Sequence, residues 1–244
     1  MKGRIKGIVR KILILAVVLL LIFKAALPLA EAADLRLHGT PDTLIELARK
    51  NPETFFFARN YQRDHDTEFE IDISGDIASD PRDVPRLYQW DKRWGYHIYG
   101  DDMMALTGCG PTCLSMAYTG LTGRAGQDPL TVARMAENRG YYVPGVGSSW
   151  SLMTDGAASL GLSSRECAPD ADAIMSALEN GGVIIASMGP GDFTSSGHFI
   201  VLADVGRGGR IHVNDPNSRK RSRKLWNADD LASQMSDMWI LTVN

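Results

Sequence analysis

The sequence predicts an α+β fold in which one buried helix packs on an antiparallel sheet, and three stretches carry that prediction. Behind Gly108-Cys109-Gly110-Pro111, the residues Leu114, Ala117, Tyr118 and Leu121 recur at helical spacing and give a helix with an apolar face. The run Gly197-His-Phe-Ile-Val-Leu-Ala203 is apolar on both faces, as a central strand must be. A second strand, Arg210-Ile-His-Val-Asn-Asp215, returns through Gly206-Arg-Gly-Gly209, so the two form a hairpin. About 160 residues follow Val84, enough for a hydrophobic core without covalent staples.

The helix start is chemically distinctive. Pro111 suits a first helical position, where a missing N–H costs nothing, and Gly120 or Gly123 can end the helix. Cys109 then sits at or just before the N-cap, where free N–H groups and the positive end of the helix dipole favour an anion. Such a site lowers a cysteine pKa, and the thiolate is the nucleophile. Cys113, one turn further in, is the rival and reads as a buried apolar residue. A Cys109–Cys113 disulfide would silence the site. Cys167 is assigned no role. Three cysteines are too few, and odd in number, for a disulfide framework.

A thiolate needs a base. Of the five histidines, His38, His65, His97, His198 and His212, His198 stands where the glycine-rich loop Gly189–Gly197 enters a buried strand, and it is taken as the base over a merely structural role. A third group must orient the imidazole. Asp204 is six residues along the same strand, about 20 Å away at ~3.3 Å per residue, and cannot reach. If Val205 pairs with Arg210, Ile200 pairs with Asp215, and Asp215 becomes a diagonal neighbour of His198 on the same face. His212 then points to the other face. A one-residue slip would bring Asn214 to the site instead. Acyl transfer also needs an oxyanion donor; on spacing alone Gln89 is either that donor or a surface glutamine.

The order Gln89, Cys109, His198, Asp215 resembles a papain-like cysteine peptidase. More narrowly, Tyr88-Gln-Trp-Asp91, Gly108-Cys-Gly-Pro-Thr112, Gly197-His-Phe-Ile-Val201 and Asn214-Asp-Pro216 resemble the stand-alone relatives of the bacteriocin-processing, double-glycine-leader peptidases. The resemblance spans roughly Val84 to Asn244. It implies the papain-like fold, Cys109 as nucleophile, His198 as general base, Asp215 as orienting group and Gln89 as oxyanion donor. The transporter-linked members carry an acidic residue before the cysteine, where this chain has Gly108, and are fused to an exporter's membrane domain. Cleavage at a double glycine is therefore not implied. The implied reaction is hydrolysis of a peptide or amide bond through a thioester. The alternatives are a cell-wall amidase or transpeptidase using the same site, and a non-catalytic surface-binding module.

The N-terminus predicts export. Lys2, Arg4, Lys6, Arg10 and Lys11 precede the apolar run Ile12–Phe23, and Ala30-Glu-Ala32 offers a small-x-small cleavage site. Residues 1–32 therefore read as a signal peptide cleaved before Ala33, with a retained membrane anchor as the alternative; the basic flank stays cytoplasmic in both cases. Residues 33–83 read as a helical extension packed on the domain rather than a propeptide: helices over Thr40–Arg49 and Asn51–Asn60, one half-buried strand over Thr67–Ile73, and an acidic linker from Asp76 to Asp83.

Further helices are predicted over Pro129–Arg139, Ser149–Leu160 and Ala171–Asn180, and further strands over Val183–Ser187, Lys224–Trp226 and Met238–Val243. Trp90, Trp94 and Trp150 are each assigned to the core rather than to a cleft. The basic run Arg219–Lys224 reads as a solvated edge strand. With a formal net charge of −3, nothing else favours nucleic acid. No metal motif occurs, no cofactor is expected, and the chain is read as a monomer.

Overall fold

The computed structural model describes residues 2–77 and 84–243; residues 78–83 of the expected acidic linker lie outside the described residues. The chain forms two compact units, residues 1–63 and 64–244.

The first unit is helical: α1 (Lys2–Leu37), α2 (Asp42–Lys50), α3 (Phe55–Arg59) and, at the boundary, α4 (Tyr61–Asp64). Residues Leu13–Leu37 of α1, with a mean hydropathy of 2.7 over an 18-residue window, are long and apolar enough to cross a membrane by length and composition. α1 runs unbroken through Ala30-Glu31-Ala32, and its last turns are tied to the helices that follow. Leu35 is buried, Asp34 accepts from Arg59 Nε at 2.8 Å, and the Thr40 hydroxyl donates to Ala58 O at 3.1 Å. Gly39, at φ +67°, supplies the left-handed residue that ends the helix.

The second unit opens on an extended segment. The expected strand over Thr67–Ile73 does not form. The predicted alternation is present, with Ile73 buried, Phe69 and Ile71 half-buried and Glu68, Glu70 and Asp72 exposed, but among the described residues no strand pairs with it. Side chains hold it instead: Arg93 Nη1 donates to Asp72 O at 2.7 Å and Lys92 Nζ lies 4.7 Å from the Phe69 ring centroid. Alternation therefore reports burial of one face and does not require a ladder.

Two short strands follow, β1 (Ile98–Tyr99) and β2 (Asp102–Met103), then α5 (Met104–Thr107) and α6 (Cys109–Thr122), α7 (Pro129–Asn138), and the small hairpin β3 (Tyr142–Val143) and β4 (Gly147–Ser148). The helix expected over Ser149–Leu160 is a π-helical turn at Leu152–Gly156 that continues into α8 (Ala157–Ser159). β5 (Leu162–Cys167), α9 (Ala171–Glu179), β6 (Val183–Met188), β7 (His198–Val205), β8 (Ile211–Asn214), α10 (Arg219–Ser222), β9 (Leu225–Trp226), α11 (Ala228–Ala232) and β10 (Met235–Val243) complete the unit.

The main sheet has six antiparallel strands in the order β5-β10-β6-β7-β8-β9. β7 is central, as its two apolar faces require. One face, with Ile185, Val201, Trp239 and Leu241, packs with α6 and α7; the other, with Ile184, Ile200, Leu202 and Ile240, packs with α9 and α11. Residues 110–119 of α6 are all buried, so this helix is enclosed and not merely amphipathic. Gly120 lies inside it, because an added Cβ would meet Val84 Cγ2 at 2.7 Å and Val84 Cα at 3.0 Å; Gly123, at φ +67°, is the residue that ends it.

The β7–β8 register differs from expectation at one end and agrees at the other. At the turn, Val205 pairs with Ile211 and Asp204 with His212, one residue out of the expected register. A bulge between Leu202 and Asp204 absorbs the difference, and beyond it Leu202 pairs with Val213 and Val201 with Asn214. Continued one step, that register sets Ile200 opposite Asp215. The basic run is a correction: Arg219–Ser222 is a helical turn capped by the Ser218 side chain, and only Leu225–Trp226 are strand.

Asn214 is buried on the α6 side of the sheet, where Nδ2 donates to Val84 O at 2.8 Å and Pro85 O at 3.2 Å. Asn214→Ala strands both carbonyls and lowers stability by about 2 kcal/mol. A thermal melt reads this directly, and an unchanged Tm would refute the anchoring role.

Candidate active site

The N-terminus of α6 and the start of β7 meet at the proposed nucleophile. Gly108 is the N-cap and Cys109 the first helical residue; Pro111 is therefore third, still within the turn whose N–H groups have no intrahelical partner. Cys109 is half-buried and free of disulfides, as are Cys113 and Cys167. The His198 ring and the backbone N–H groups of Phe199 and Gly110 act electrostatically on its sulfur. Burial pushes the thiol pKa up, but the His198 hydrogen bond, the His198 charge and those two N–H groups outweigh it, so the pKa falls below the usual thiol value.

His198 is the other half of the pair. Nε2 lies 2.8 Å from Asp215 Oδ1, and since a carboxylate only accepts, Nε2–H donates. This leaves Nδ1 for Cys109. Burial works against the imidazolium, yet the Asp215 charge and hydrogen bond, reinforced by Cys109, raise the His198 pKa to about 10. Opposite shifts on the two partners favour the thiolate–imidazolium form over thiol and neutral imidazole.

Asp215 follows β8 and its side chain is fully buried. Oδ1 also accepts from Asn217 N at 2.7 Å, Oδ2 accepts from Arg221 Nε at 2.5 Å, and its own backbone N–H donates to Ser222 Oγ at 2.9 Å. Burial raises its pKa, and the charges and hydrogen bonds of His198 and Arg221 more than reverse this, leaving it below the usual carboxylate value.

Gln89 is buried, not a surface residue. Its backbone N–H donates to Pro216 O at 2.9 Å and its Nε2 to Ala105 O at 2.8 Å, which tethers it both to the residue after Asp215 and to the helix that leads into Cys109. The amide orientation follows from that second bond, since Oε1 placed there would face another acceptor. One Nε2 hydrogen remains after the Ala105 bond. Oε1 is buried without a hydrogen-bond partner among the described residues.

The structure thus brings Cys109, His198 and Asp215 into one chain of contacts, with Gln89 tethered on both sides of it. The competing residues lie elsewhere. Cys113 is fully buried, and burial, then the Cys109 and Asp215 charges, raise its thiol well above the usual value. Asp204 pairs with His212 at 2.6 Å. Among the described residues no group of three or more His, Cys, Asp or Glu is arranged to hold a metal ion.

Two contributions escape sequence reasoning. Arg221 stands in what reads as a charged edge, and only the helical turn behind Ser218 swings it onto Asp215. Trp150 is not core: it is 45% exposed, whereas Trp94 and Trp90 are buried as expected.

The Peptidase_C39 like family model matches residues 81–244. Among solved structures, the peptidase domain of Streptococcus ComA, a bi-functional ABC transporter involved in a quorum sensing pathway, is similar at a TM-score of 0.39 and 16% identity, covering 57% of this chain and 93% of that one. None of the curated proteins compared with the chain matches it. The α+β unit built on α6 and the six-stranded sheet is a papain-like peptidase fold, and the chain belongs to the Peptidase_C39 like family.

Proposed function

We propose that this protein is an exported cysteine peptidase that hydrolyses a peptide bond through a thioester on Cys109. The observation that carries the reading is the His198 ring, held at 2.8 Å by a buried carboxylate on one nitrogen and electrostatically coupled to a helix-N-terminal thiol. The Cys109 thiolate attacks the scissile carbonyl carbon. The developing oxyanion is held by the remaining Gln89 Nε2 hydrogen and a backbone N–H at the α6 start. The protonated His198 gives its proton to the leaving amine as the C–N bond breaks, leaving the acyl group on sulfur. Neutral His198 then takes a proton from water as it attacks the thioester, and cleavage of the C–S bond releases the acid and leaves Cys109 as thiolate beside the imidazolium.

The rim of the site supports a peptide carrying an apolar side chain near the scissile bond. Among the described residues of the second unit, the exposed large apolar side chains are Ile98, Val143, Val146, Trp150 and, at the chain end, Val243. All but the last lie on the β1–β2 and β3–β4 hairpins or just beyond them. Those hairpins are joined by Tyr99 Oη to Ser148 Oγ at 2.8 Å, and Ser148 packs so close to Gly110 that a Cβ there would lie 2.3 Å from Oγ. Trp150 stacks edge-on Trp239 at 5.4 Å, which neighbours Phe199 at 6.2 Å. A peptide library cleaved by the full chain is expected to show apolar enrichment at one position, and Trp150→Ala to abolish that preference. Cleavage without positional preference argues against the rim, and no cleavage alongside an unreactive Cys109 argues against a peptidase.

The pH dependence has a worked sign. Activity needs thiolate and imidazolium together. It is lost as pH falls through the Cys109 value, which lies below the 9.0 of an ordinary thiol, and as pH rises through the His198 value near 10. The expected kcat/KM profile is therefore a bell whose alkaline limb lies near pH 10. Asp215→Asn removes the charge that raises His198, so its alkaline limb moves down and kcat drops by on the order of 100-fold. An acid limb above pH 9, or an Asp215→Asn variant with wild-type kcat, would overturn the assignment.

The N-terminal helix supports retention at a membrane. It carries a basic flank that stays cytoplasmic and continues past Ala32 into contacts with α2 and α3. Fractionation of the native host is expected to recover the intact chain in the membrane, protease-accessible from outside. A soluble product beginning near Ala33 would instead establish a cleaved signal peptide.

A further inference from the structure

Asp215 does not face the imidazole alone. While Oδ1 serves His198, Oδ2 is taken by Arg221 Nε, reached from α10, whose first turn the Ser218 hydroxyl fixes by accepting from Arg221 N at 3.1 Å. The guanidinium also lies 5.9 Å from the ring centroid of Phe193, in the loop that leads into His198. Arg221 is not needed merely to aim the carboxylate. The Asn217 N–H already fixes Oδ1 and Ser222 Oγ already holds the backbone. What Arg221 adds is charge, at a carboxylate with no exposed surface.

We propose that Arg221 is a positioning residue of the catalytic centre, sharing the Asp215 charge with His198 so that the carboxylate stays ionised throughout turnover and does not hold the imidazolium proton too tightly to release it. The proposal rests on the reading of Cys109, His198 and Asp215 as the reacting and orienting groups. When His198 hands its proton to the leaving amine, a carboxylate whose sole cationic partner was that imidazolium becomes an unpaired buried anion, which is strongly disfavoured. Such a site resists the transfer. Arginine does not deprotonate, so Arg221 keeps Asp215 compensated at that moment.

Among the described residues, few charged and titratable groups face the pair. Cys109 faces His198 from α6, and Cys113, one turn on, feels the Asp215 charge. Neighbouring cations of the basic run serve aromatic faces: Arg219 lies 4.6 Å from the Trp90 ring centroid and Lys224 3.6 Å from that of Trp226.

The test is an NMR titration of the His198 ring in the full chain, which needs no substrate. Arg221→Gln keeps an N–H donor and removes the charge; Arg221→Lys restores a charge. With Arg221→Gln, Asp215 acts on His198 unopposed, so deprotonation of the ring is expected to move up by about 1 pH unit, and Arg221→Lys to return it toward wild type. A folded Arg221→Gln protein with an unchanged or lowered His198 titration overturns the proposal. A second arm leaves Arg221 intact. In His198→Ala, the carboxyl carbon shift of Asp215 is expected to report an ionised group at neutral pH, because Arg221 remains; a protonated Asp215 overturns the proposal equally. Neither readout depends on turnover, so an inactive wild type with the expected shifts would sink the peptidase reading and leave the charge-sharing role standing.

Discussion

The buried carboxylate of Asp215 is the point on which the rest of the site depends. A carboxylate with no exposed surface must be paired and hydrogen-bonded or it unfolds its surroundings. Here the partners come from three places: His198 at the start of β7, Asn217 in the following turn and Arg221 in α10. Satisfying them orders everything after β8. The chain turns at Pro216, whose carbonyl takes the Gln89 N–H, and Ser222 closes the turn by accepting from Asp215 N. One electrostatic requirement thus sets the imidazole, the α10 turn and the position of Gln89 together.

Asp215 occupies that point because of one extra residue. At the β7–β8 turn the strands pair in a register that, continued, would set Asn214 opposite Leu202 and so on the face of Ile200 and His198. The bulge between Leu202 and Asp204 shifts the pairing by one, and Asn214 instead faces Val84 and Pro85. Because strand side chains alternate, that single residue exchanges a neutral amide for a charged carboxylate beside the imidazole. The consequence is large: the amide could orient the ring, but only the carboxylate raises its proton affinity.

The two cysteines of α6 show how local the remaining control is. Cys109 and Cys113 share a helix and lie one turn apart, yet their thiols shift in opposite directions. Both are desolvated. Of the two, Cys109 has an imidazole and two backbone N–H groups that favour its thiolate, and these reverse the cost of burial. Cys113 has apolar neighbours and two like charges nearby, which add to it. Helix position gives Cys109 its free N–H groups; the adjoining strand β7 supplies His198 and the Phe199 N–H.

By itself the sequence determined what short-range physics encodes. The glycine, proline and apolar spacing around Cys109 dictated a helix opening on a thiol, the two-faced apolar run after His198 dictated a central strand, and a basic flank before an apolar run dictated a helix suited to a membrane. Even the face on which Asp215 sits was legible, because the expected register holds at the end of the hairpin that matters. Tertiary structure decided whatever depends on a partner distant in sequence. The Thr67–Ile73 segment alternates but finds no strand to pair with, so side chains of Lys92 and Arg93 hold it. The Arg219–Lys224 run looks like a solvated edge until the Asp215 carboxylate draws Arg221 inward. Trp150 has the same composition signal as Trp94, yet Trp150 lies exposed against Trp239 while Trp94 is buried. Periodicity fixes which face a residue takes, whereas what lies across from that face is set by chain segments that no local pattern describes.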